Sequence, residues 1–318
     1  MSDTNILVLG AAGQIGSDLV FSLRKKYGNN NVVATDLSES CPAALGGGPY
    51  EQLDAMNAEA MLAVIKKHNI AHVYHLVAML SATAEKFPIK GWDLNMQSLF
   101  NLLEIAKEGH IKRIFWPSSI AVFGPNSPQG NTPQRTVLEP TTVYGISKVA
   151  GESWCEYYHQ KFGVDVRCLR YPGLISYKSA PGGGTTDYAI HIFHEALKHG
   201  HYTSFIQADR QLPMMYMPDA IRATMSIMEA QADQIKIRTG YNLSAISFTP
   251  AEIAAAIEKQ IPGFTIDYNP DFRNNIAANW PGSIDDTEAR KDWGWQHEYD
   301  LSKMVADMLN NLKVLETQ

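Results

Sequence analysis

Cysteine is scarce in this chain of 318 residues, and the three that occur are isolated. Cys41, Cys155 and Cys168 show no spacing of a metal knuckle or redox pair, so reduced thiols in a cytoplasmic protein are expected. Strong charge of one sign is lacking too. The formal net charge is −6, charged residues make up 19%, and no basic run occurs. Neither nucleic acid nor an anionic membrane is therefore an expected partner. No apolar run approaches the roughly 20 residues of a membrane span. The opening MSDT leads almost at once into a strand-like NILVLG, so no signal or transit peptide is expected. Repeats, low-complexity tracts and Ser/Gly linkers are missing as well.

What is present is alternation. NILVLG (5–10), NVVATD (31–36), HVYHLVA (72–78), RIFWPSS (113–119) and DVRCLRY (165–171) read as strands. Helices are expected over 14–27, about 57–68, about 92–109 and about 141–162. Strand and helix in alternation mean βαβ units, hence an α/β fold with a doubly wound parallel sheet and right-handed crossovers. After Pro172, glycine, proline and aromatic residues become frequent. Helices are expected there at 186–199, 218–231, 250–259 and 300–313. The reading is a first domain over 1–175 and a smaller α/β substrate-binding lobe over 176–318. A segment near 210–240 should return to the first domain.

GAAGQIG places Gly10, Gly13 and Gly16 between the first strand and the first helix. Such a turn brings backbone close to a pyrophosphate, and the helix N-terminus adds N–H groups and positive dipole. This points to a Rossmann-type dinucleotide site. Asp36 ends the second strand, where a carboxylate can accept from ribose hydroxyls and would repel a 2′-phosphate. No arginine follows it immediately, so NAD is expected rather than NADP. Asp54 in LDAMN is either within reach of adenine or a helix N-cap.

YGISK sets Tyr144 and Lys148 one turn apart on one helix face. A phenol is a poor base at neutral pH, and a nearby ammonium would lower its pKa. So tuned, it could take a hydroxyl proton while hydride leaves the same carbon. Ser119 ends a strand upstream and could orient the reacting oxygen. Asn95, on the preceding helix, could anchor backbone or a proton-relaying water.

In this order and on these elements, the glycine motif, the strand-end serine and Y-x-x-x-K resemble the extended short-chain dehydrogenase/reductase superfamily from Asn5 to about Gly173. The resemblance implies Tyr144 as catalytic acid/base, Lys148 on the nicotinamide ribose, Ser119 as third member and Asn95 in support. It further implies cofactor contacts from Gln14 and Ile15 in the turn, from Leu37 and Ala55, and from Leu76 and Ala78. Tyr171, Gly173 and Ile175 belong to a cofactor-flanking YPGLI loop.

Three stretches are narrower than the superfamily. HLVAMLSATAEK (75–86), PGGGTTDYA (181–189) and NWPGSIDDTEARKDWGW (279–295) resemble the short-chain-type L-threonine 3-dehydrogenases. That likeness implies NAD-dependent oxidation of the threonine β-hydroxyl to 2-amino-3-oxobutanoate, a β-keto acid prone to decarboxylate. A downstream 2-amino-3-oxobutanoate CoA ligase would be a natural partner, and a homodimer formed through the 98–108 and 144–162 helices is implied. The substrate residues carried over are Ser81, Ser119, Tyr144, Gly184, Thr185, Thr186 and Trp280. The alternatives are a sugar-nucleotide epimerase or dehydratase of the same superfamily and a non-catalytic NAD-sensing scaffold.

A zwitterion needs donors and acceptors. Successive glycine N–H groups at 182–184 could nest its carboxylate. Asp187 could meet its ammonium or cap the helix that follows, and Trp280 could roof the substrate or pack between lobes. Arg210, Arg222, Arg238 and Arg273 are expected chiefly in ion pairs. His191, His194, His199 and His201 read as a polar face with no metal expected, and MMYM (214–217) as packing.

Overall fold

The computed structural model describes residues 4–178 and 182–316, the side chain of Glu316 excepted; Pro181 of the glycine-rich loop lies outside them. In chain order the elements begin with β1 (Asn5–Leu9), α1 (Gln14–Tyr27), β2 (Val32–Asp36), β3 (Tyr50–Gln52), α2 (Ala58–Lys67), β4 (Ile70–His75), α3 (Ser81–Lys86) and α4 (Pro88–Lys107). Then come β5 (Arg113–Ser119), α5 (Val143–Phe162), β6 (Val166–Tyr171), β7 (Gly173–Ile175), α6 (Tyr188–His199), β8 (His201–Ser204), β9 (Leu212–Tyr216) and α7 (Met217–Glu229). The chain ends with β10 (Tyr241–Asn242), β11 (Ile246–Phe248), α8 (Pro250–Glu258), β12 (Thr265–Tyr268), α9 (Phe272–Ala277), α10 (Thr287–Trp293) and α11 (Leu301–Glu316).

The main sheet has seven strands in the order β10-β6-β5-β4-β1-β2-β3, all pairings parallel. Helices cover both faces, so its central strands are buried on both sides and carry unbroken apolar runs such as Ile6, Leu7, Val8 and Leu9. The order reverses between β1 and β4. There the carboxyl ends of the strands part and leave a crevice for a ligand.

Two small sheets, β11-β9-β7 and β12-β8, build the second lobe with α6, α8, α9 and α11. The return to the first domain is wider than the 210–240 segment expected. α7 packs on α1 and on the main sheet, and β10 adds the sheet's seventh strand. Ala289, Trp293 and Trp295 join the same core, so the stretch at 287–295 returns too.

β9 lies between the two cores. Met214 and Tyr216 belong to the lobe core, Met215 to the core of the sheet domain, because side chains alternate along a strand. Met217, just beyond, joins Met215.

Candidate functional site

The sharp turn after β1 needs glycine. Gly10 has φ +76°, and a Cβ on Gly16 would lie 2.4 Å from the Gly10 carbonyl oxygen. α1 then starts at Gln14 with no side-chain cap, leaving its first N–H groups for another acceptor. Asp36 stands over this turn. Its Oδ2 accepts from the Ala12 N–H at 2.9 Å and its Oδ1 from the Leu37 N–H at 2.8 Å. The carboxylate is thus fixed by backbone before any ligand arrives.

A cleft of about 400 Å³ opens here. Of the expected cofactor residues it is lined by Gly10, Gly13, Asp36, Leu37, Asp54, Ala55, Leu76 and Ala78. Ala12, Thr35, Leu53, Val77 and Leu94 also line it and were not anticipated. They neighbour residues that were; the sequence cannot show which side of a bend faces inward. Asp54 is not the cap of α2. That position is Asn57, whose side chain accepts from the Ala60 N–H, while Asp54 Oδ1 accepts from the Met56 N–H.

Leu76 and Ala78 also line a second, smaller cleft of about 150 Å³, so the two adjoin. Gln14, Ile15, Ser81, Ser119, Tyr144, Lys148, Tyr171 and Gly173 surround it, with Gly184, Thr185, Thr186 and Trp280 on the lobe side. Leu80, Pro117, Ser118, Ile120, Pro172, Leu174 and Asp187 complete the wall. Three expected residues lie outside both clefts. Gly16 is packed inside the turn, and Ile175 is fully buried in the lobe core, a correction to its expected cofactor contact. Its strand, β7, pairs with β9 and so turns it inward. Asn95 is buried behind the wall. Its Oδ1 accepts from the Met79 N–H at 2.7 Å and its Nδ2 donates to Ser147 Oγ at 3.2 Å, which ties the loop after β4 to α5.

α5 is launched by Thr142, whose hydroxyl accepts from the Gly145 N–H. Its first turns present Tyr144 and Lys148 to the end of β5. Lys148 is 2% exposed, and its Nζ donates to the Pro117 carbonyl at 2.6 Å. It lies 4.3 Å from the Trp116 ring centre and 5.5 Å from that of Tyr144. Burial brings its pKa down to about 8; Cys168, Cys155 and the Glu152 carboxylate pull the other way. Burial pushes the Tyr144 phenol up to about 12, with the Ser119 hydroxyl acting in the opposite direction. Desolvation thus governs the phenol, and the expected lowering by its ammonium neighbour is not among the influences on it within the protein's own atoms.

The glycine-rich loop also departs from expectation. The Gly183 and Gly184 N–H groups do not face the cleft as an anion nest. Both donate to Asp187 Oδ2, at 2.9 and 2.8 Å. Asp187 is the N-cap residue of α6 by position, yet its side chain makes no cap bond and reaches back into the loop. Burial raises its pKa, while the Gly184 and Gly183 N–H groups lower it. The loop so folded lays Thr185 Oγ1 3.2 Å from Ser81 Oγ.

Among the four arginines, three make ion pairs: Arg222 with Asp219 and Glu298, Arg238 with Asp165, and Arg273 with Asp271. Arg210 makes no such pair among the described residues. Its guanidinium donates to the Trp280 carbonyl. His191, His199 and His201 line an open hollow on the outer face of the lobe, where His201 Nδ1 meets Thr265 Oγ1 at 2.9 Å. No helix among the described residues is long and apolar enough to cross a membrane.

A switch-point crevice, a glycine turn below a fixed carboxylate, and unclaimed helix N–H groups define an α/β enzyme that binds a dinucleotide. Gln14 Nε2, buried in this cleft without a partner among the described residues, is a further donor awaiting a polar group. The chain belongs to the NAD dependent epimerase/dehydratase family, whose model matches residues 6–243, and its cofactor is NAD. The extended short-chain dehydrogenase/reductase likeness is thereby borne out. A GalE-like L-threonine dehydrogenase from Cupriavidus necator, in its holo form, is 56% identical and superposes with a TM-score of 0.95 over 97% of this chain and 99% of that one. A monomeric L-threonine 3-dehydrogenase from a metagenome, in its apo form, is 46% identical with a TM-score of 0.94, covering 98% and 99%. An uncharacterised epimerase/dehydratase of Staphylococcus haemolyticus is 49% identical over 313 residues, 98% of each chain.

Proposed function

We propose that this protein is an NAD-dependent L-threonine 3-dehydrogenase. The observation that carries the reading is the small cleft of about 150 Å³, closed by the Ser81–Thr185 pair, Thr186, Asp187 and the indole of Trp280 beside Tyr144 and Ser119. It is smaller than the 300–1,000 Å³ typical of sites for drug-sized ligands. Three hydroxyls and one carboxylate suit a small zwitterion: Asp187 would face the ammonium, and the hydroxyls of Ser81, Thr185 and Thr186 would bond the rest. A nucleotide sugar needs room and cations for a second pyrophosphate. None of Arg210, Arg222, Arg238 and Arg273 lines this cleft, and each is engaged elsewhere. The likeness to the two threonine dehydrogenases, at 56% and 46% identity, supports the same choice.

Ser119 donates to the substrate's β-oxygen and holds it toward Tyr144. Tyr144 accepts the hydroxyl proton as the carbon–hydrogen bond breaks. NAD, when bound, supplies the hydride acceptor. The Gly10–Gly16 turn and the N-terminus of α1 would hold its pyrophosphate, Asp36 its adenosine ribose and Lys148 its nicotinamide ribose. A phenol near 12 keeps its proton at neutral pH, so the base form needs a cation close by. Among the described residues lining this cleft, Lys148 is that cation. Trp280, 5% exposed, excludes water from the reacting carbon. The product is a β-keto acid, so an enzyme that cleaves it with coenzyme A is the fitting successor.

The test is absorbance at the NADH band with NAD and L-threonine across a range of pH. A steady rise is expected; no signal at any pH sinks the reading. A melting-temperature shift from a UDP- or GDP-sugar but not from threonine would favour an epimerase. We also propose a homodimer through α4 and α5, which expose Trp92, Ile146, Trp154, Tyr157 and Phe162. Sedimentation at the mass of one chain would overturn it.

A further inference from the structure

Successive turns of α5 meet consecutive residues at the end of β5. Tyr144 faces the Ser119 hydroxyl, and Lys148 Nζ donates to the Pro117 carbonyl at 2.6 Å. One turn further on, the Ser118 hydroxyl donates to Glu152 Oε1 at 2.5 Å. The first two contacts belong to the proposed chemistry. The third has no part in it so far, yet Glu152 and Ser118 are 1% and 2% exposed.

A carboxylate so deep in a protein survives only with charged or multiple partners. Arg170 of β6 supplies them, donating to both Glu152 oxygens at 2.8 and 2.7 Å. The same guanidinium donates to the Gln134 carbonyl at 3.1 Å and to Asn242 Oδ1 at 3.2 Å. Asn242 Nδ2 in turn donates to the carbonyls of Thr132 and Asp285, at 3.2 and 3.1 Å. Asp285 lies five residues beyond Trp280. A planar fork on a carboxylate fixes direction as well as distance, which apolar packing does not.

We propose that Glu152 and Ser118 are positioning residues: through them α5 sets where Ser119 stands relative to Tyr144 and Lys148, and through Arg170 and Asn242 that setting is tied to the segment carrying Trp280. The proposal rests on the reading of Tyr144, Lys148 and Ser119 given above. Glu152 also acts through its charge. The groups facing Lys148 are Tyr144, Glu152 and Cys155 on its own helix, Cys168 on β6, and His75 on β4. Removing the negative charge of Glu152 leaves Arg170 unopposed, and a more positive surrounding lowers the pKa of every group nearby.

Two variants separate the anchor from the charge. Glu152→Gln should lower kcat about 10- to 100-fold, as small displacements of reacting groups do. KM for threonine and the affinity for NADH should hold, and the pH profile of kcat/KM should move as a whole to lower pH. Ser118→Ala leaves the Glu152–Arg170 pair intact. It should lower kcat about tenfold with an unmoved profile. A folded Glu152→Gln enzyme with the wild-type kcat or an unmoved profile overturns the proposal. So does Ser118→Ala with the wild-type kcat, which decides the matter alone if Glu152→Gln does not fold. Tyr144→Phe run beside them keeps the two readings apart. Wild-type turnover there removes the underlying mechanism, whereas an inactive Tyr144→Phe with an unaffected Ser118→Ala removes only this inference.

Discussion

Lys148→Met should make the protein more stable at neutral pH than at alkaline pH, relative to wild type. Lys148 is 2% exposed, and burial takes its pKa from 10.5 to about 8. At 1.36 kcal/mol per pH unit, holding the ammonium there costs about 3 kcal/mol in its charged form. Between pH 8 and 10.5 the unfolded chain keeps a proton on this lysine that the native protein has released, so wild-type stability rises with pH across that window. Below pH 8 the penalty is complete. Methionine has similar length and no charge, and its own cost is the Pro117 carbonyl left without its donor, about 1–3 kcal/mol. That cost does not depend on pH. Urea unfolding of both proteins at pH 7 and pH 10 isolates the lysine, because groups common to both cancel. The variant's advantage should shrink by about 2–3 kcal/mol from pH 7 to pH 10. An offset equal at the two pH values would refute the argument, since it would mean the native ammonium is as well solvated as the unfolded one.

Other outcomes follow from the site. Tyr144→Phe should lose turnover by at least about 10²-fold while NADH still quenches protein fluorescence; substantial residual rate would refute its acid/base role. Wild type should prefer NAD to NADP in kcat/KM, and Asp36→Ala should narrow the preference by about 10²-fold, because a carboxylate held against a 2′-phosphate costs several kcal/mol. Thr186→Ala should raise KM for threonine up to about tenfold with NAD binding unchanged, the value of one hydrogen bond; a normal KM removes it from the substrate contacts. Asp187→Ala should raise the same KM, both by freeing the Gly183 and Gly184 N–H groups and by removing the carboxylate proposed to face the ammonium, and a KM equal to wild type would refute both roles.

The long, strongly patterned elements were readable in advance. α1 spans the expected 14–27, and β5 the expected 113–119. What escaped was short or fixed from afar. β3 has three residues and β10 two, too few for any period, and each exists because a neighbour pairs with it. α4 starts at Pro88 rather than near 92: proline suits a first helical turn, and Gly91 allows close packing against Ala84 of α3. β4 stops at His75 because β1 ends at Leu9 and offers no further partner; the residues beyond bend into the cleft. The site shows the same division. The glycine turn, Asp36, Tyr144 and Lys148 were legible from local spacing. The claim of Asp187 on the glycine amides was not, because a nest looks alike in sequence whether its anion comes from a ligand or from three residues downstream.

β9 carries a final consequence. Met214 and Tyr216 on one side and Met215 on the other serve two hydrophobic cores from a single five-residue strand. Neither core can melt without pulling residues out of the other. The lobe that shapes the substrate cleft is therefore no exchangeable cassette. Grafted onto a related sheet domain, it would bring Met215 of its host's core with it, and unfolding should proceed in one cooperative step.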